Sequence, residues 1–176
     1  MTDAAATDAA GLLERALAEE ATKKSGLVWV RGSGPARAVW HVWHEGAALL
    51  VGGPGEQPLP EGLADGGRAE VTVRSKDKGG RIVAWSAAVR FLAPRSEEWE
   101  AAVAELKGKR LNAPDAEEMP ERWARTCTVV RLTPEAVSTA LPDTSLAAVP
   151  LPTAATTREP APAAVPRLLL KRRRKG

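Results

Sequence analysis

A single cysteine, Cys127, occurs in 176 residues, so no disulfide can form within the chain and no cysteine-based metal site can be built. Tyrosine is absent, and phenylalanine, isoleucine and asparagine occur once each, as Phe91, Ile82 and Asn112. Ala, Arg, Gly and Pro abound instead, the mark of a GC-rich coding bias, so the shortage of aromatic and β-branched residues says little about function. No apolar run approaches the roughly 20 residues that span a bilayer. Met1 to Asp8 is small and acidic, without the basic start and apolar stretch of a secretory signal. By elimination the expected compartment is the cytoplasm.

Against this background the six tryptophans stand out: Trp29, Trp40, Trp43, Trp85, Trp99 and Trp123. All lie between residues 29 and 123, which places the expected core there. The formal charge of +3 is unevenly spread. Up to Thr133 there are 18 basic and 19 acidic residues, a formal −1, whereas Pro134 onward carries 7 against 3. The folded part is therefore near neutral, and the basic character belongs to the C-terminal segment. That segment has seven prolines among Ala, Thr and Val and no periodicity. It is expected to be a disordered Pro/Ala-rich tail over residues 134–176, ending in Leu168-Leu169-Leu170 and the five cations Lys171 to Lys175.

Along the chain, residues 1–8 read as a flexible arm, and Thr7 to Lys24 carries a helical pattern with an apolar stripe of Leu12, Leu13, Ala16, Leu17 and Ala21. Ser25-Gly26 ends it. A β meander follows: strands at Leu27 to Arg31, Ala36 to His44 and Ala47 to Val51, with turns at Gly32 to Pro35 and Glu45-Gly46. Gly52 to Gly67 is rich in Gly and Pro and reads as loop. Arg68 to Lys76 and Arg81 to Leu92 alternate as strands, the second apolar on both faces in the manner of a barrel wall. Ser96 opens a helix with Glu97 and Glu98 in its first turn and Trp99, Ala102, Val103 and Leu106 on one face. A short helix near Pro120 to Arg125 and a last strand from Cys127 to Leu132 complete the domain, 9–133. The expected fold is mostly β, a six-stranded antiparallel split barrel with flanking helices.

The run Leu27-Val28-Trp29-Val30, then Pro35 to Trp43, the turn Glu45-Gly46, the strand Ala47 to Val51, and later Ser96-Glu97-Glu98-Trp99-Glu100 leading to Lys109-Arg110-Leu111-Asn112, resembles the FMN-binding split barrel of pyridoxamine phosphate oxidase-like proteins. The resemblance implies a homodimer with flavin (FMN) or deazaflavin sites between subunits, and redox chemistry on a small-molecule substrate. It also implies a Lys or Arg and a following Asn for the cofactor phosphate in the loop after the third strand. The stretch there is Pro54-Gly55-Glu56-Gln57-Pro58-Leu59-Pro60, with a carboxylate and prolines in those places.

Arg74, Ser75, Lys76, Lys78 and Arg81 form the densest basic group of the domain, on a hairpin whose Gly79-Gly80 would let backbone amides approach a phosphate. The same residues also suit a solvated hairpin tip that resists aggregation. His41 and His44, three apart on a strand, point to opposite faces and cannot chelate one ion. His41 is expected beside Trp43 in a pocket or core, where a lone histidine can serve as proton donor or haem ligand. Trp40 and Trp43 also face opposite ways, one free to stack on a flavin and the other to pack in the core. Glu45 and Glu56, on a turn and a loop, read as exposed, and Cys127 as a small buried apolar residue. No arrangement of nucleophile, base and orienting group emerges. Three functions remain open. One is a flavin- or deazaflavin-dependent oxidoreductase with phosphate on the basic hairpin and Trp43 or His41 near the ring. Another is a cofactor-free binding or interaction module. In the third, the basic tail does the work, contacting an acidic partner, nucleic acid or a membrane surface.

Overall fold

The structure, a computed structural model, describes residues 2–75, 80–111 and 115–138. Lys76, Lys78, Asn112 and the tail beyond Ser138 therefore lie outside the described residues. The elements run α1 (Thr2–Lys24), β1 (Leu27–Arg31), β2 (Arg37–Trp40), β3 (Val42–His44), β4 (Ala47–Gly52), β5 (Arg68–Arg74), β6 (Arg81–Phe91), α2 (Glu97–Lys109), α3 (Met119–Thr126) and β7 (Thr128–Ser138).

Seven strands form one antiparallel sheet, ordered β2-β1-β5-β6-β7-β4-β3. Six were expected; the seventh arises because the strand foreseen over Ala36 to His44 breaks at His41. The two pieces pair with different neighbours, β2 with β1 and β3 with β4, so they sit at opposite ends of the ladder. One residue joins those ends, and the sheet must curl for this to happen. The break has a local cause. The Gln57 side chain accepts from the Trp40 amide at 2.8 Å and donates to the Trp40 carbonyl at 2.9 Å, pairing this residue as a strand would.

Two cores result. The inner one takes Val28, Val30, Val71, Val73, Val83, Trp85, Val89, Val130 and Leu132, capped by Ala18 of α1. The outer one lies under α2 and α3, where Trp99, Leu106, Met119 and Trp123 cover Leu49, Val51 and Val129. Period-2 alternation along β4 divides its residues between the two, with Leu50 inward and Leu49 outward, and every residue of β4 is buried. Helix α2 follows the sequence closely: Ser96 caps it by accepting from the Trp99 amide at 3.2 Å, and Trp99, Ala102, Val103 and Leu106 are its buried face.

Helix α1 departs from expectation. It starts at Thr2, and it rests on the barrel through Ala18 and Thr22, both fully buried. Leu12, Leu13 and Leu17 are 63%, 73% and 43% exposed, so the leucines of the foreseen apolar stripe stay open, while its Ala21 packs against the inner core. Small residues let the helix backbone approach the sheet, and Leu17 is left at the rim of a groove beside Val73 and Ile82. Strand β7 is also longer than the Cys127 to Leu132 foreseen, running to Ser138 through Pro134. A shift in register opposite Ser86 and Ala87 leaves Glu135 out of the pairing, and β4 pairs only as far as Leu132. With no ladder on that side, the missing Pro134 amide breaks no hydrogen bond.

Candidate functional site

The break at His41 positions the site. With the strand interrupted, the His41 ring turns under the end of α1, where Nε2 lies 3.0 Å from the Thr22 carbonyl. A carbonyl only accepts, so Nε2 carries the proton and Nδ1 is left with a lone pair. That Nδ1 is buried and has no partner among the described residues, as are the Trp43 Nε1 and the Thr22 hydroxyl. Burial pushes the His41 pKa below its ordinary value, only partly opposed by the bond to Thr22. The imidazole is neutral.

Two adjoining cavities share His41 and Lys109. One, of about 380 Å³, is lined by Gly26, Trp40, His41, Lys109, Arg110 and Leu111. The other, of about 370 Å³, is lined by Lys23, Ser25, His41, Val42, Trp43 and Lys109. Trp40 and Trp43 face opposite ways, as expected: Trp40 packs on the outer core, and Trp43 on the inner core, edge-on to Trp85 at 6.1 Å. The cleft thus offers indole surface on either side of a neutral imidazole, with cations at the ends of α1 and α2. Chemically it can hold a planar anion against indole surface and cations, while the buried Nδ1 of His41 and N–H of Trp43 have no partner among the described residues. His44 lies apart near Glu45 and Glu105, and no group of three His, Cys, Asp or Glu residues able to hold a metal exists among the described residues.

The basic hairpin sits elsewhere. Arg74 and Ser75 line a groove of about 470 Å³ with Leu17, Ala21, Lys24, Ser25, Val73 and Ile82. The Arg74 guanidinium lies 4.2 Å from the centre of the Trp29 ring, and the Ser75 amide donates to the Gly80 carbonyl at 2.7 Å. Ser25 is common to this groove and to the His41–Trp43 cavity, which places the two groups of foreseen residues on either side of the last turn of α1. They do not share one cavity.

Glu56 was expected in solvent. Its carboxylate is instead 0% exposed. Oε1 accepts from Arg122 at 2.9 Å and from Trp123 Nε1 at 3.1 Å, and Oε2 accepts from Arg110 Nε at 3.0 Å. Arg122 also binds Asp115 at 2.6 Å and the Pro54 carbonyl at 2.9 Å. Asp115 first, then Glu56, hold the Arg122 guanidinium above its ordinary pKa, while Arg122 lowers that of Asp115. Glycine permits this approach: Gly55 has φ +81, and a Cβ there would meet Arg122 Nη1 at 2.9 Å. Cys127 is only half-buried beside the same loop, its Sγ 3.7 Å from the Pro54 carbonyl. Sequence reading missed this cluster because Glu56 and Arg122 are 66 residues apart and only the fold joins them. The available signal was a carboxylate enclosed by Gly53, Gly55 and three prolines.

No family model matches the chain, and no curated protein does. Solved structures do. The haem storage protein HutZ of Vibrio cholerae matches with TM-score 0.48 and 13% identity, covering 69% of this chain and 91% of that one. A general stress FMN/FAD binding protein of Xanthomonas citri matches with TM-score 0.48 and 15% identity, over 77% and 95%. A candidate pyridoxamine 5'-phosphate oxidase of Listeria innocua matches with TM-score 0.46 and 14% identity, over 72% and 96%. The last of these bears the name of the oxidase group that the sequence motifs resemble.

Proposed function

We infer that the chain is a pyridoxamine phosphate oxidase-like split-barrel protein that works as a homodimer, takes a flavin or deazaflavin, and acts as an oxidoreductase on a small molecule. The observation that carries this reading is the convergence of Trp40, His41, Trp43, Lys109 and Arg110 on the cavities at the β2–β3 break. The residues there fit a planar ring with acidic substituents: indole surfaces and the His41 ring to pack on it, and Lys23, Lys109 and Arg110 to balance its charge. Arg74 and Ser75 remain the candidate phosphate ligands, together with Lys76 and Lys78. The loop from Pro54 to Pro60 does not fit a phosphate, because its carboxylate already holds the nearby arginines. When bound, the cofactor would supply the electron chemistry; the chain would bind it, orient it and limit its access to water.

Leu17 and Ile82 line the groove beside Arg74, and with the exposed Leu12, Leu13 and Leu27 they support a second copy on this side of α1. The test is near-ultraviolet and visible absorbance of purified protein during titration with FMN, deazaflavin and haem in turn. Saturable uptake of a flavin or deazaflavin, weakened by Lys109→Ala and by Trp43→Phe, is the expected result. A colourless protein that takes up none of the three would sink the cofactor reading. A second reading would then stand: a cofactor-free binding module, with its basic tail contacting an acidic partner, nucleic acid or membrane. The self-satisfied loop around Glu56 favours it.

A further inference from the structure

We propose that Glu56 is a built-in anion: its carboxylate fills an oxyanion pocket made by Arg110, Arg122 and Trp123, and so keeps external phosphates and carboxylates out of that pocket. This does not depend on the cofactor reading, since it concerns what the pocket refuses.

The donor set is that of an oxyanion site. Two guanidinium groups and an indole N–H point at two oxygens, with three contacts between 2.9 and 3.1 Å. Guanidinium groups are the preferred partners of carboxylates and phosphates because their planar N–H groups match those oxygens. The indole N–H can only donate. Apart from Asp115, which binds Arg122 from the other side, Glu56 is the only carboxylate on these three donors among the described residues. Its carboxylate is wholly covered, so nothing from solvent reaches the pocket without displacing the loop.

The loop is shaped to deliver that carboxylate. Gly53 and Gly55 have positive φ, and added side chains would strike Cys127 and Arg122 respectively. The Gly53 amide donates to the Gln57 carbonyl and the Glu56 amide to the Gly53 carbonyl, closing a tight turn around the carboxylate. Gln57 then fastens the same turn to Trp40 and to the Val51 carbonyl. A tethered carboxylate competes as an intramolecular ligand, at an effective concentration that free anions at millimolar levels do not match.

Arg110 gives the pocket a connection to the cleft. It also lines the 380 Å³ cavity, with its guanidinium 5.9 Å from the Trp40 ring. Glu56 therefore holds, through Nε, an arginine that borders the cleft, and fixes how that side chain is presented.

The experiment compares thermal unfolding of the full chain and of Glu56→Ala in chloride, acetate and inorganic phosphate at equal ionic strength. The wild type sets the general effect of each salt on stability and should show no saturable shift that depends on Arg122. Glu56→Ala should unfold about 10 °C lower in chloride, since it leaves paired charges without their partner. Acetate or phosphate should restore much of that loss saturably, and the double variant Glu56→Ala/Arg122→Ala should lose the restoration. If Glu56→Ala does not fold in chloride, the readout becomes recovery of far-ultraviolet circular dichroism on refolding in each salt. Recovery confined to acetate or phosphate supports the proposal. Equal behaviour of the variant in all three salts overturns it. So does saturable stabilisation of the wild type by phosphate that Arg122→Ala abolishes, since the native pocket would then be open.

Discussion

His41 combines a backbone role with a titratable one. Its ring turns toward Thr22 where the strand breaks, and burial lowers its pKa. Its folded pKa is depressed, so the unfolded chain takes up a proton first as pH falls below about 6.5, the ordinary histidine value. The stability that the neutral ring contributes is fully present above that pH and is lost below it, at up to about 1.4 kcal/mol per pH unit for one proton. Chemical denaturation between pH 7.5 and 5 should show this decline, about one histidine's worth, and His41→Asn should flatten it. An unchanged slope in the variant would remove His41 from that role. That His41 would lie near Trp43 was legible in the sequence, because the two residues are adjacent positions on one face. The break between them was not, because it depends on Gln57, which is 17 residues from Trp40. Glu56 was misread for the same reason: a carboxylate between glycines looks solvated until the fold brings Arg110 and Arg122 to it.

Among the elements, α2 was read almost residue for residue, because its cap, its acidic first turn and its buried face are all local signals. Helix α1 carried an equally clear apolar pattern, yet it packs through Ala18 and Thr22. Hydrophobic periodicity locates a stripe but does not say what covers it. If the stripe meets a second copy, as proposed, Leu13→Glu and Leu17→Glu should each weaken self-association about 10- to 100-fold, the worth of one interface leucine. Light scattering across a dilution series reads this. Helix content and unfolding of the dilute monomer should barely change, since neither leucine is buried. A dimer as tight as wild type would place the interface elsewhere.

At the level of the whole molecule, the mostly antiparallel curled sheet and its flanking helices followed from strand alternation and turn chemistry, while the seventh strand and the division of the core into two did not. The site followed only in part: the sequence named His41, Trp43, Arg74 and Ser75, and the fold put them in two cavities that meet at Ser25. The limits of the domain invite a direct check. A chain ending after Ser138 retains every pairing described for β7. It should unfold within about 2 °C of the full chain, since no described contact is removed. A chain ending after Leu132 loses the pairings of Thr133 to Ser138 with β6 and should fall well below that.

Strand order also sets a timetable for synthesis. Among the described residues β7 is the last strand made, and it belongs between β6 and β4. Until it leaves the ribosome, both of those strands show bare hydrogen-bonding edges, and Leu50 of β4 lacks Val130 and Leu132 from the inner core. At the pace of translation, about 5 to 20 residues per second, that wait lasts seconds. A pause or premature stop between α3 and β7 would therefore release a chain with two sticky edges, and such chains associate with one another before they can be completed.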